Sequence, residues 1–257
     1  MLDKILASIG IGAARVDARI TSAGVRQGDE LVGEVHVIGG SVEQSISQIY
    51  MYLYTEYSRE VGGTQSRQKE VLASYRISDS LVIRPNETRI IPFQLRVPHH
   101  APISFRTQQV YLSTGLDIEM AIDPKDKDLI TVLPDPLIEQ IFAQAEDLGF
   151  RHTSESGYCE YKKHIHRMVP FVQEFELRPT DRFRDELDEI ELIFDVYSEG
   201  VDVLLEVDRK AKNARGLLQD MLGLDERYVR FTISRTKGLA SEELARMIQR
   251  GLDMIPK

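Results

Sequence analysis

The side chains with most chemistry in them are few and scattered along the chain. His164 and His166 stand two positions apart and would share one face of a strand, as metal ligands do, with Cys159 of opposite parity turned to the other face. A zinc site needs a third or fourth convergent ligand, and none lies close by, so the pair reads as surface- or partner-facing. Asp117, Asp123, Asp126 and Asp128 fall within TGLDIEMAIDPKDKD, but Lys125 and Lys127 occupy alternating positions and there is no central Gly. A calcium loop requires both the alternating oxygens and that Gly, so the stretch reads as a solvated turn. Gly10, Gly12 and Gly24 do not compose a phosphate loop, and no G-x-S-x-G, H-E-x-x-H or C-x-x-C occurs. Cys159, between Tyr158 and Glu160, has no neighbouring cation to lower its thiol pKa. The expectation is a protein that is not an enzyme, with no catalytic residue, no metal and no cofactor.

Two constellations suit contact better than catalysis. Asp188, Glu189, Glu191 and Asp195 lie on or beside the face of a strand opposite Ile190, Leu192 and Phe194. Such a row solvates a sheet and protects an edge from aggregation. It also suits electrostatic docking of a basic partner, which speeds association more than it tightens binding. Arg182, Arg184 and the basic 207–215 segment are alternative intramolecular partners for it. The second constellation is Tyr50, Tyr52 and Tyr54, at spacing two on one face, with Tyr57 close behind. Tyrosine is enriched at interfaces, although packing inside a sheet is its commoner use.

These residues need strands to hold them, and strands are what the pattern predicts. Alternation of apolar with polar or aromatic residues runs through 31–38 and 46–58 on either side of Gly39-Gly40, which reads as a hairpin. Further strand patterns cover 14–22, 68–77, 80–84, 88–97, 106–113 and 129–133, separated by Gly, Pro and Asn turn signals. Pro92 interrupts 88–97 and assigns that strand to an edge or a bulge. Leu133-Pro134-Asp135-Pro136 then punctuates the chain. Behind it Leu137, Ile138, Ile141, Phe142, Ala145 and Leu148 share a helical face, with Asp135 placed as N-cap, Pro136 in the first turn and Gly149 at the C-terminal end. Strands resume at 158–165, 170–177, 188–197, 201–208 and 228–234, the middle pair forming a hairpin around Ser198-Glu199-Gly200. A final helix begins near Ser241, and Leu2, Ile5, Leu6 and Ile9 predict a short amphipathic helix at the N-terminus.

The layout predicts a mainly β protein of two tandem β-sandwich domains with three helices: the N-terminal one, a linker helix and a C-terminal one. The expected division is 1–134, a connecting helix over 135–149, and 150–257. Composition agrees with a soluble globular protein: 257 residues, 42% hydrophobic and 28% charged. The lone cysteine fits a reducing compartment, and no stretch approaches the roughly 20 apolar residues that span a bilayer, so a cytoplasmic location is expected. Net charge is −9, with ten Asp/Glu against only Arg182 and Arg184 in 181–206. Without a sustained basic stripe, nucleic acid is not an expected partner.

Several stretches point to a family. Phe93-Gln94-Leu95-Arg96-Val97-Pro98 following Pro85-Asn86 resembles a strand of the arrestin-like sandwich. ASIGIGAARVD (7–17), GGSVEQSI (39–46), TGLDIEMAIDPKDKDLITVLPDPL (114–137), RDELDEIEL (184–192) and VLLEVDRKA (203–211) resemble the bacterial sporulation-control family known as stage-zero M (SpoOM) over nearly the full length. The resemblance implies an arrestin-like cytoplasmic regulator or scaffold that acts through protein contacts, without catalysis or cofactor, and it assigns no site residue. The partners expected are unidentified proteins or a second copy in a homodimer. The alternative is a peripheral membrane adaptor anchored by the 2–9 helix, whose single basic residue and two turns predict weak membrane association.

Overall fold

The computed structural model describes residues 13–118, 125–162, 168–210 and 226–254. The predicted helix at 2–9, His164, His166 and Asp123 lie outside the described residues. The remainder forms two compact units. One holds the described residues up to Glu56, with Arg67–Ser104 and Gln109–Leu133; the other holds Tyr57–Ser66, Phe105–Gln108 and the chain from Pro134 onward. The protein is mainly β, with two helices among the described residues rather than three.

In the first unit, β1 (Arg15–Ile20), β3 (Glu30–Ile38) and β7 (Thr88–Arg96) form an antiparallel sheet in the order β1-β3-β7. β4 (Gln44–Val61) pairs with β5 (Thr64–Ser78), β6 (Leu81–Ile83) and β8 (Val110–Ile118), and β8 pairs with β9 (Lys125–Ile130). β2 (Val25–Arg26) and β10 (Val132–Leu133) make a short parallel ladder. The period-two pattern does what it must: Val16, Val35, Val37 and Phe93 are buried from one sheet, and Ile49, Met51, Leu53, Leu112 and Leu116 from the other. Pro92 sits on the edge strand β7, opposite Glu34.

Three expectations need correction. The strands flanking Gly39-Gly40 are not a hairpin, because β3 pairs with β1 and β7 while β4 pairs elsewhere. Gly39 instead carries the chain from one sheet to the other, donating its N–H to Glu87 O at 2.8 Å. A Cβ at Gly39 would lie 2.0 Å from the carbonyl oxygen of Arg84, so only glycine passes there. The strand expected at 106–113 begins at Val110 and runs on to Ile118. Asp126 and Asp128 are on strand β9, not in a solvated turn. Asp126 Oδ2 accepts the backbone N–H of Ala18 at 2.8 Å, which ties β1 to β9 by a side chain.

The second unit contains β11 (Phe150–His152), β12 (Cys159–Tyr161), β13 (Phe171–Pro179), β14 (Leu187–Tyr197), β15 (Gly200–Arg209) and β16 (Glu226–Ser234), with the antiparallel order β12-β13-β14-β15-β16. Helix α1 (Pro136–Asp147) buries Leu137, Ile138, Ile141 and Ala145. Helix α2 (Glu243–Met254) packs on β15 and β16. It comes so close at Gly251 that a Cβ there would be 2.6 Å from Val207 Cγ2. Both helices serve the face that holds Phe175, Leu192, Val203, Leu205 and Val207.

The start of α1 is fastened with unusual strength. Asp135 is buried and caps the helix, accepting from Leu137 N at 2.9 Å. Arg235 donates to the same carboxylate through Nη1 at 3.2 Å and Nη2 at 2.6 Å, and to the carbonyl oxygens of Tyr197 and Ser198 at 3.1 and 2.8 Å. Gly149, with φ of +82°, closes the other end. Removing one partner of a buried ion pair strands the other, at a cost of ~3–5 kcal/mol. Asp135→Ala is therefore expected to lower the Tm by on the order of 10 °C, measured by thermal unfolding. Asp135→Asn, which keeps the cap acceptor, should lose less. An alanine variant melting with the parent protein would show that the pair does not hold the helix.

Candidate functional site

The acidic strip is wider than its own strand. Register places Glu176 opposite Glu191 and Glu191 opposite Glu206, so three carboxylates stand in a row across β13, β14 and β15. Glu189 faces Asp208 and Asp195 faces Asp202 along the same hairpin. Glu189, Glu191 and Asp195 thus share a face with Glu174 and Glu176, opposite the buried Ile190 and Leu192. Asp188 does not join them. It lies where the β14–β15 register shifts between Leu187 and Glu189, and that bulge turns it out of the row.

Lys162 pairs with Glu174, and Arg178 donates to Glu189 Oε2 at 3.1 and 3.0 Å while standing 3.6 Å from Glu176. Burial works against the Lys162 ammonium, but Glu174, Glu191 and Glu206 more than offset it and raise its pKa. Glu191 is pushed up to about 8, first by burial and then by Glu174 and Glu206, with Lys162 pulling the other way. Glu176 is raised as well, by burial and by its hydrogen bond to Glu189. Burial first, and the neighbouring carboxylates second, keep the proton on Glu191 at neutral pH.

The tyrosines belong to the first unit. Tyr50, Tyr52 and Tyr54 lie opposite Gly115, Ser113 and Tyr111 on β8. Tyr50 is half-buried and its ring covers Gly115, where a Cβ would meet it at 2.4 Å. Tyr54 is buried and stacks on Tyr111 at 5.2 Å, while Tyr52 is exposed. Lys69 Nζ sits 3.5 Å from the Tyr54 ring centroid and Lys127 Nζ 3.8 Å from that of Tyr111. Tyr57 is separate, stacked on Phe171 in the second unit.

Other titratable groups are occupied by packing. Cys159 is 1% exposed, and burial pushes its thiol well above the ordinary range. His152 stands among Phe105, Phe142 and Phe175, with Nδ1 2.7 Å from the Oγ of the buried Ser156. Burial and then Arg106 lower its pKa and keep the ring neutral. It borders a hollow of about 360 Å³ walled by Phe142, Phe150 and Leu177, with Glu146 and Arg151 at 4.0 Å on its rim. Asp128 is pushed up to about 6 by burial and by Asp126 and Asp17. Among the described residues, no group of three His, Cys, Asp or Glu is arranged to hold a metal ion. No helix among them is long and apolar enough to cross a membrane.

Pattern reading found Glu189, Glu191 and Asp195 but missed Glu174, Glu176, Glu206 and the two lysines over the tyrosines. The missing signal was pairing. With a two-residue turn at Ser198-Glu199, Glu191 must face Glu206, whereas the β13 partners and the Lys–Tyr contacts depend on tertiary placement.

The protein is mainly β, with charged and aromatic residues on its sheet faces, and comparison with known proteins identifies its family. The model of the family described as "SpoOM protein" matches residues 2–211, and the chain belongs to that family. It is similar to the sporulation-control protein spo0M of Bacillus subtilis (strain 168), with 38% identity over 251 residues covering 97% of this chain and 96% of that protein. The crystal structure of Spo0M, sporulation control protein, from Bacillus subtilis superposes with a TM-score of 0.82 at 36% identity, covering 96% of this chain and all of that one.

Because the Glu191 carboxyl holds its proton to about pH 8 when folded and to about 4.5 otherwise, folding takes up a proton between those values. Stability therefore declines as pH rises through that window. Glu191→Gln removes the decline. Its Tm should match the parent protein near pH 4.5 and exceed it above pH 8 by ~2–4 °C, corresponding to ~1 kcal/mol after solvent screening of the partly open carboxyl. Parallel Tm profiles for the two proteins would mean that Glu191 ionises freely.

Proposed function

We propose that this protein is a non-catalytic cytoplasmic regulator in sporulation control, a scaffold that works through protein–protein contacts rather than turnover. The observation that carries this reading is the row Glu176–Glu191–Glu206, three carboxyl groups set side by side across β13, β14 and β15. A cationic segment laid across the row would favour the ionised form of Glu191, whose proton is held there by burial and by its carboxylate neighbours. Its family membership supports the regulatory side of the reading. The arrangement we propose is two tandem β-sandwich domains of arrestin-like type divided close to Leu133-Pro134, for which the two sheets of the first unit are the support.

In-cell crosslinking and capture of the tagged protein tests the docking role. Glu191→Lys combined with Asp195→Lys should lose the principal crosslinked partner while keeping its Tm within a few degrees of the parent protein. A partner captured equally by both would move the contact away from this face.

A further inference from the structure

Three oxygen-bearing side chains stand together on the face of the β4–β8–β9 sheet that turns away from the tyrosines. Met51, Thr114 and Asp126 lie abreast across β4, β8 and β9, and Leu53, Leu112 and Asp128 form the next row. Met51, Leu53 and Leu112 are buried, so this face meets the core, with the two aspartates on its edge strand. Thr114 is 0% exposed, yet its Oγ1 has no hydrogen-bond partner, and Asp128 Oδ2 is likewise a buried atom without one. Directly opposed residues hold their Cβ atoms about 4.5–5.5 Å apart on one face, so Thr114 neighbours the Asp126 carboxylate. The Asp128 carboxyl meets that of Asp126 from two positions along the same face. Ionised carboxylates offer each other no proton, so this meeting leaves Oδ2 without a donor.

Among the described residues, none supplies the missing positive charge. Arg19 is held by Asp17 at 2.8 Å, and Lys127 projects from the opposite face of β9, over the Tyr111 ring. Asp126 Oδ2 accepts the Ala18 N–H and its Oδ1 the Lys127 N–H, two neutral donors that hold the carboxylate in place without neutralising it. A buried hydroxyl and a buried carboxylate oxygen without partners each cost stability, the charged group more, and one cation set between them relieves both. We propose that Asp126, Asp128 and Thr114 hold a calcium ion at the β1–β9 edge, with water completing its shell. The donors are all oxygen, which selects a hard cation over zinc or copper. Calcium accepts irregular coordination by carboxylates, neutral oxygens and water, whereas magnesium demands a near-ideal octahedron. With two carboxylates rather than three acidic ligands, the site belongs with lightly charged calcium sites that bind at ~0.1–1 mM. Asp126 already ties β9 to β1 through Ala18, so the ion braces the edge where those two strands meet.

Thermal unfolding and isothermal titration calorimetry of the full chain, first stripped of metal with EDTA and dialysed to neutral pH, test this. With about 10 mM calcium chloride the Tm should rise by ~3 °C or more over the same protein in sodium chloride of equal ionic strength. Calorimetry should show one site. Magnesium should give less than half of that shift, and an equal one overturns the assignment to calcium. Asp128→Asn and Thr114→Val should each weaken calcium binding by about tenfold or more and suppress the shift. Neither should melt below the stripped parent protein, because each removes an unpartnered group and nearly keeps the side chain's shape. If either variant fails to fold, the parent protein decides alone: no heat and no Tm shift up to about 10 mM calcium overturns the proposal. Calcium binding that both variants retain overturns it by placing the ion on other acidic residues of the chain. A parent protein blind to calcium whose Asp128→Asn variant melts higher shows that a proton, not a metal, fills the gap, and overturns it as well.

Discussion

A single buried carboxylate organises the second unit. Asp135 sits where the chain enters α1, and its charge is tolerable only because a backbone N–H and a two-pronged guanidinium meet it. The same guanidinium reaches Tyr197 and Ser198 at the β14–β15 turn, and Arg235 itself follows directly on β16. One ion pair thereby aligns a helix start, a hairpin end and a strand end. The helix it anchors buries Leu137, Ile138, Ile141 and Ala145, which commits one side of the unit to the core. The carboxylate row is on the side that remains polar.

How much of this was legible from residues alone follows from how local each feature is. Asp135, Pro136 and Gly149 could be placed at the ends of α1 because capping depends on a few adjacent residues. The hairpin around Ser198-Glu199 was legible for the same reason. Gly39-Gly40 was misread because a two-glycine break between alternating runs resembles a hairpin turn, while its actual task is to pass close to the Arg84 backbone. Nothing within the surrounding ten residues encodes that approach. Arg235 could not be matched to Asp135 across a hundred positions, and the lysines over Tyr54 and Tyr111 were invisible for the same reason. The tyrosine spacing gave their common face correctly, but only the sheet shows that Tyr54 is buried and Tyr52 exposed.

The two sheet faces treat their charges in opposite ways. On the tyrosine face, ammonium groups rest on ring quadrupoles, an arrangement that stabilises modestly and leaves positive charge at the surface. On the carboxylate face, carboxyl groups stand opposite one another, and burial together with these neighbours raises the pKa of Glu191 and Glu176. Neither face is what edge protection alone would produce, since scattered charges of either sign serve that purpose.

Register connects this face to the core. Ile190, Leu192, Val203, Leu205 and Val207 are buried on one face of the β14–β15 hairpin, and a slip of one residue would turn all of them to solvent. The core therefore dictates which positions oppose each other on the polar face. It does not dictate what stands there. A lysine at 191 or 206 would make a favourable cross-strand pair without touching the core, yet both positions carry glutamate. What stands at 191 and 206 is therefore set by the polar face and not by the core beneath it.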